Sequence, residues 1–327
     1  MPFPEREFPD LRPGQREYFT LRVGELASGV PLLMPVMAVR GNADGPTVLA
    51  VAGVHGDELL GADVVRRTVN QLDPATLRGT VIGVPMANIA AFGTRSRRSL
   101  AEMYPGPHDM NRVFPGNGSG VMSERIARVL MDQLVARSDY AIDLHAASVG
   151  GSWLSYAVMP SRAECPSDDV HARSTAAARA LGFPLLLEGA TPAGSFIEAA
   201  LASGVPAGMV EFGVANFIDR DDLELGLRAM TNLLQFLDMS DGSPTIGEQH
   251  HVTRLHRMTA LRGGFLEHAV AMGDRVAAGT PLAEIQDLRG DVVQRIVAPV
   301  AGLICRRSTM GMVGTGDLIV YVGEVAE

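Results

Sequence analysis

Residues 47–72 read TVLAVAGVHGDELLGADVVRRTVNQL. The run from Thr47 to Val54 has the length and apolar content of a buried strand, and from Asp57 to Leu72 apolar positions recur at helical spacing. A strand therefore passes into a helix through the short junction VHGDE. That junction places His55 and Glu58 three residues apart, where a chain entering a helix can turn both side chains toward one point. An imidazole and a carboxylate so placed form half of a zinc site. A catalytic zinc needs three protein ligands and an open position, so a third ligand must come from elsewhere in the chain.

Working outward, the same alternation continues on both sides. Residues 17–40 carry YFTLRV and LLMPVMAV, read as strands leading into the core. TVIGVPM, YAIDLHAA, LSYAVMP, PLLLEG and GMVEFG are further strand candidates. VMSERIARVLMDQLVARS, DDVHARSTAAARALG, SFIEAALAS and DDLELGLRAMTNLLQFLDM are helix candidates, with Ser123 a candidate N-cap of the first. Alternating strands and helices imply an α/β domain around a mostly buried sheet, spanning residues 1–240. His145 ends the strand AIDLH and is the candidate third ligand. Glu211 ends the strand GMVEF, where a carboxylate could serve as a general base. Both lie at the carboxyl ends of strands, the edge at which open α/β sheets bind their ligands.

The alternation stops near Met239. MSDGSPTIGEQHH is polar and turn-rich and reads as a linker, with His250 and His251 as surface residues. Beyond it, short strands separated by glycines make a second domain over 250–327. Val276, Gly279, Leu282 and Ile285 recur as Val313, Gly316, Ile319 and Val322, a two-fold repeat that suggests a small all-β barrel or sandwich. GDRVAAGTPLAEI and APVAGLI look like the biotinyl/lipoyl-type fold, but the attachment lysine is absent. A cap or a wall beside the catalytic domain is the expected role.

Composition removes several alternatives. All 28 basic residues are arginine, against 37 acidic ones, for a net charge of −9. Without lysine there is no Schiff base to pyridoxal phosphate, no P-loop lysine and no lysyl-linked biotin or lipoate. A general nucleic-acid binder would be basic, so no nucleic-acid partner is expected. No window offers the ~20 apolar residues of a membrane span, and the start of the chain has no signal-type apolar stretch; a cytoplasmic protein is expected. Cys165 and Cys305 read as two buried thiols. There is no Gly-x-Ser-x-Gly elbow, and neither cysteine adjoins a histidine motif, which argues against nucleophilic serine or cysteine catalysis.

A His-x-x-Glu pair alone is common on solvated loops, and a single histidine such as His145 is commonly an interior hydrogen-bonded residue. The ordered set is more specific. After HGDE come NIAAFGTRSRR, then DMNRVFPG, then DLH, then VEFG. This order resembles the succinylglutamate desuccinylase/aspartoacylase family, a branch of the zinc carboxypeptidase superfamily. The resemblance runs from about Val51 to Gly213, with a β-rich tail like that family's second domain. GVHGDE fits the motif Gly-x-x-His-Gly-Asn/Asp-Glu; Asp143, Leu144 and His145 fit Asp-Leu-His. Ile89 and Met110 depart from the usual proline and leucine, both as apolar swaps. The HGDE form and the length look closest to the N-acetyl-diaminobutyrate deacetylase branch.

The resemblance implies a zinc-carboxypeptidase-like mixed sheet flanked by helices. It implies one Zn²⁺ held by His55, Glu58 and His145, with Glu211 as the base that activates water. Arg97 would stabilise the oxyanion, although Arg95 and Arg98 are close enough to compete for that place. Asn111 and Arg112 would hold a substrate carboxylate, which suits a guanidinium fork. Asp143 shares a strand face with His145 and either orients the site or bonds nearby backbone. The implied reaction is hydrolysis of the amide of a small N-acylated amino acid. A carboxypeptidase acting on peptides and a metal- or ligand-binding module without catalysis are the alternatives, and a homo-oligomer stays open. Cobalt or manganese could replace zinc in such a ligand set.

Overall fold

The computed structural model describes residues 3–99, 102, 108–189 and 191–326. In chain order it runs β1 (Arg16–Glu25), β2 (Pro31–Arg40), β3 (Ala43–Ala52), α1 (Leu59–Gln71), β4 (Arg78–Val84), α2 (Ile89–Thr94), α3 (Met122–Gln133), β5 (Tyr140–Ala146), β6 (Gly151–Trp153), β7 (Tyr156–Met159), α4 (Asp168–Ala180), β8 (Leu185–Glu188), α5 (Phe196–Ala202), β9 (Ala207–Phe212) and α6 (Arg220–Phe236). The tail adds β10 (His250–Thr259), β11 (Gly264–His268), β12 (Arg275–Val276), β13 (Pro281–Gln286), β14 (Val292–Val297), β15 (Gly302–Ser308), β16 (Met312–Val313) and β17 (Leu318–Val325).

The large sheet is mixed, in the order β1-β2-β4-β3-β5-β9-β7-β8-β10-β17-β15-β12, with β6 pairing β15. Its centre is parallel: β4, β3, β5 and β9 run together, and β7 crosses antiparallel to β9. Strand alternation sorts the side chains between the two faces. On β5, Ile142, Leu144 and Ala146 pack into one core with Val64 and Val65 of α1, Ala177 of α4 and Leu233 of α6. Ala141 belongs to the opposite core, beside Ile126 and Leu130 of α3 and Phe196 and Ile197 of α5. Asp143 and His145 alternate with the first set and so share Ala141's face. Two charged-capable residues thus interrupt an otherwise apolar, fully buried strand, an arrangement that costs stability unless each is paired.

The tail builds a two-sheet unit. β10, β17, β15 and β12 prolong the large sheet, and β14-β13-β11-β16 form a second one. Val276, Leu282 and Ile285 meet Val313, Ile319 and Val322 in one core between them, so both halves of the sequence repeat point inward. Gly279 and Gly316, the repeat's glycines, both take positive φ in the turns before β13 and β17.

Two local expectations are corrected. Ser123 lies inside α3; Val121 precedes the helix, and its N–H is held by Glu124 at 3.0 Å. Glutamate at the third position replaces a side-chain cap. His250 and His251 belong to β10 rather than to a linker, pairing Leu185 and Leu186 of β8. The short elements α2 and β6 had no periodicity long enough to announce them. Cys165 and Cys305 are free and buried, as expected. Among the described residues no helix is long and apolar enough to cross a membrane.

Candidate metal centre and active site

The junction between β3 and α1 is threaded through tight backbone contacts. A Cβ on Gly56 would lie 2.0 Å from the carbonyl carbon of Ala91 in α2, and one on Gly61 would lie 2.5 Å from the Leu144 carbonyl oxygen. Glycine at both places lets the loop press onto α2 and α1 press onto β5. That approach carries His55 and Glu58 to His145. One donor atom from each lies within 4.8 Å of the others, and the three residues are 2–3% exposed.

Orientation follows from the partners. His55 Nδ1 lies 2.8 Å from Glu58 Oε1, and His145 Nδ1 lies 2.6 Å from Glu58 Oε2. The opposite ring nitrogens face two aspartates: His55 Nε2 is 2.9 Å from Asp109 Oδ1, and His145 Nε2 is 2.7 Å from Asp143 Oδ2. Carboxylate oxygens only accept, so the acidic partners on both sides of each ring favour its charged form. Burial opposes that charge, but Glu58 and the aspartates prevail and hold both imidazoles above their ordinary value of 6.5. Burial likewise pushes Glu58 up, and the two histidines overcome it, holding its carboxyl well below 4.5. Asp109 is held low in the same way by His55 and Arg97, against its own burial.

This donor set fits a divalent cation. Two Nδ1–H groups converge on one carboxylate, and a dication can replace those two protons without changing the charge of the cluster. The aspartates on Nε2 supply the carboxylate–histidine arrangement that fixes ring orientation at metal sites.

Glu211 stands beside this cluster. It pairs in register with His145 across β5 and β9, and with Tyr156 across β9 and β7. Burial and the negative charge of Glu58 push its carboxyl up to about 7, against the pull of His145, His55 and Arg97.

Of the three neighbouring arginines, Arg97 reaches the cluster. It donates to Asp109 Oδ2 at 3.2 Å, to Glu58 Oε1 at 3.3 Å and to Ser148 Oγ at 2.9 Å. Arg95 sits exposed in the left-handed turn that ends α2, and Arg98 is also exposed. Asn111 occupies a more internal place than a substrate contact needs. Its Oδ1 accepts from the Phe196 N–H at 2.9 Å, and its Nδ2 lies 3.1 Å from His145 Nε2. Arg112 is exposed and donates to the Asn111 carbonyl at 2.5 Å. Asp143 takes the orienting position beside His145, and its second oxygen is buried without a partner among the described residues. Asp109 was missed as a site residue, although it opens the DMNR motif and so was in plain view.

The structure thus joins a buried His-Glu-His cluster that could hold a metal ion to a glutamate on the adjoining strand of a mixed sheet. The succinylglutamate desuccinylase/aspartoacylase catalytic-domain model matches residues 44–237. The N-alpha-acetyl-L-2,4-diaminobutyric acid deacetylase of Halomonas elongata is 30% identical over 323 residues, covering 90% of this chain and 87% of its own. A succinylglutamate desuccinylase/aspartoacylase from Rhodobacter sphaeroides shares the fold at a TM-score of 0.86 and 23% identity, over 98% of this chain and 99% of that one. The product-bound ectoine utilization protein EutE (DoeB) from Ruegeria pomeroyi does so at 0.86 and 24%, over 97% of each. The chain belongs to the succinylglutamate desuccinylase/aspartoacylase family. It is an amidohydrolase.

Proposed function

We propose that this protein is a zinc-dependent deacylase that hydrolyses the amide of a small N-acyl amino acid. The observation that carries the reading is the convergence of both Nδ1 atoms on Glu58, with Glu211 one strand away. His55, Glu58 and His145 would hold the ion. Zinc bound there supplies a Lewis acid and makes water acidic enough to attack near neutral pH.

The protein's own groups do the rest. Glu211, with its carboxyl near 7, is matched to accept a proton from the attacking water and return it to the leaving nitrogen. Arg97 is anchored by Asp109 and Ser148, so a guanidinium is in place as negative charge grows on the acyl oxygen. Losing one such donor commonly costs ~3 kcal/mol. Arg112, exposed and next in the chain to Asn111, takes the amino acid's carboxylate. Asn111 holds the 109–112 turn against α5 and His145. Residues 1–240 carry this chemistry, and 250–327 form a wall beside it.

The test is a hydrolysis screen of N-acetyl and N-succinyl amino acids, with amino-blocked dipeptides as the carboxypeptidase arm and metal content measured on the same sample. Turnover of the N-acyl amino acids, lost on chelation and restored by zinc, is expected. Cleavage confined to the dipeptides, or turnover indifferent to chelation, would reject the reading.

A further inference from the structure

At the end of the strands remote from the metal cluster, β2, β4 and β3 bring a second set of polar side chains together. Arg40 stands opposite Thr80, and Thr80 stands opposite Thr47. Residues opposite one another in register point to the same face of a sheet. The next row on that face, Ala38, Ile82 and Leu49, packs into the core that α3 covers, so the polar row lies on the α3 side. Thr47 is five residues before the end of β3, roughly 17 Å along the strand, and His55 lies beyond that end.

This row forms one wall of a cavity of about 320 Å³. The N-terminal segment supplies a second wall through Phe8, Asp10 and Leu11, and Arg137, in the single turn Val135–Arg137 that follows α3, supplies a third. Both arginines are held in place. Arg40 Nη1 donates to the Leu11 carbonyl at 3.0 Å. Arg137 Cζ lies 4.6 Å over the Phe8 ring, and its Nη1 donates to the Gln133 carbonyl. Among the described residues Arg137 makes no ion pair, and Arg40 reaches only Asp44, at 3.7 Å and fully exposed, a pairing that solvent screens. The Thr47 and Thr80 hydroxyls have no hydrogen-bond partner among the described residues.

Two pinned arginines that no close carboxylate answers stand out in a chain of net charge −9. With Asp10 the one carboxylate of the lining, the cavity carries a net positive charge. Guanidinium groups already fixed by a carbonyl and by a ring lose little further freedom on taking up an anion. A fork from each arginine and a hydroxyl from each threonine offer donors from more than one wall. A planar carboxylate meets one fork well; a tetrahedral phosphate, with oxygens on every side, can accept from all of them. The volume also leaves room for part of a larger molecule behind the phosphate.

We propose that this cavity is a binding site for a phosphate group, held by Arg40, Arg137 and the Thr47 and Thr80 hydroxyls. It is separate from the metal cluster and does not depend on the deacylase reading. A phosphate bound there ties residues 8–11 and the turn after α3 to the start of β3 and β4. The phosphate is either the free ion or the phosphoryl group of a small phosphomonoester.

Calorimetric titration of the full chain with inorganic phosphate, glycerol phosphate and acetate, in a low-salt chloride buffer, tests the proposal. Phosphate is expected to bind at millimolar concentration or below, and more tightly than acetate. Arg40→Gln and Arg137→Gln should each weaken phosphate binding about 10-fold or more. Thr80→Val keeps the strand's shape, removes one hydroxyl and should weaken it by roughly 2- to 10-fold. Circular dichroism checks that the variants fold. Hydrogen exchange locates the ligand: phosphate should slow exchange in residues 8–11 of the wild type and not in Arg40→Gln. Tighter binding of glycerol phosphate than of the free ion identifies a phosphomonoester as the source, and the reverse order identifies the ion. Absence of phosphate binding at millimolar concentration, acetate bound as tightly as phosphate, or phosphate binding that Arg112→Ala weakens and both Arg40→Gln and Arg137→Gln leave unchanged would overturn the proposal.

Discussion

Glu211→Gln should make the metal-free protein more stable while removing most of its activity. Burial beside Glu58 raises the Glu211 carboxyl from an ordinary 4.5 to about 7. At 1.36 kcal/mol per pKa unit, holding the ionised form in the fold costs roughly 3 kcal/mol. Because Glu211 is partly open to the site, screening brings the expected figure to about 1–3 kcal/mol. The sign follows from proton binding. Between 4.5 and 7 the native state binds more protons at this position than the unfolded state, so this contribution is full below about 4.5 and is lost as pH rises through 7. Glutamine does not ionise and keeps its contribution throughout. The gain of the variant over wild type should therefore be small at pH 5 and reach its plateau by pH 8. Urea denaturation of chelator-treated protein at both pH values measures it. A gain of equal size at both, or no gain at pH 8, would refute the assignment of Glu211 as a carboxyl charged at a cost.

Three further outcomes follow from the same geometry. Arg112→Ala should raise KM about 10-fold or more for substrates with a free carboxylate and act much less on carboxamide analogues; steady-state kinetics on the pair checks this. Asp143→Ala and Asp109→Ala should each weaken metal binding by about 10- to 100-fold, read by competition with a chromophoric chelator, because each removes the acceptor that orients a histidine ring. Loading the metal-free protein should release close to two protons per ion near pH 6, measurable by calorimetry in buffers of different ionisation enthalpy, since both Nδ1–H groups give way.

The parts of the site that the amino-acid sequence discloses are those carried by local geometry. HGDE spans one strand-to-helix junction, and the glycines around it need close backbone approach, so His55 and Glu58 announce themselves within four residues. His145 and Glu211 end apolar strand runs, where a charged side chain is conspicuous. Arg97 could be separated from Arg95 and Arg98 only in three dimensions, because a left-handed turn at Arg95 decides which side chain points inward. Asn111 showed its residue type but not its direction; the α5 backbone that occupies its Oδ1 lies 85 residues away. The stacking of Arg306 of β15 over the Trp153 ring of β6 was illegible altogether. Its place depends on a bulge in β15 and on β6, a three-residue strand with no periodicity of its own.

The parallel pairing of β8 with β10 has a consequence for how the molecule can be handled and how it can move. Leu185–Leu187 are bonded on one side to β7 and on the other to His250–Val252. A chain cut at residue 240 would leave the second side of β8 bare beside three leucines, a template for sticking to other copies. The two halves are thus joined through main-chain bonds across a shared seam. A hinge there would have to tear a ladder, so the two halves move as one body at this seam.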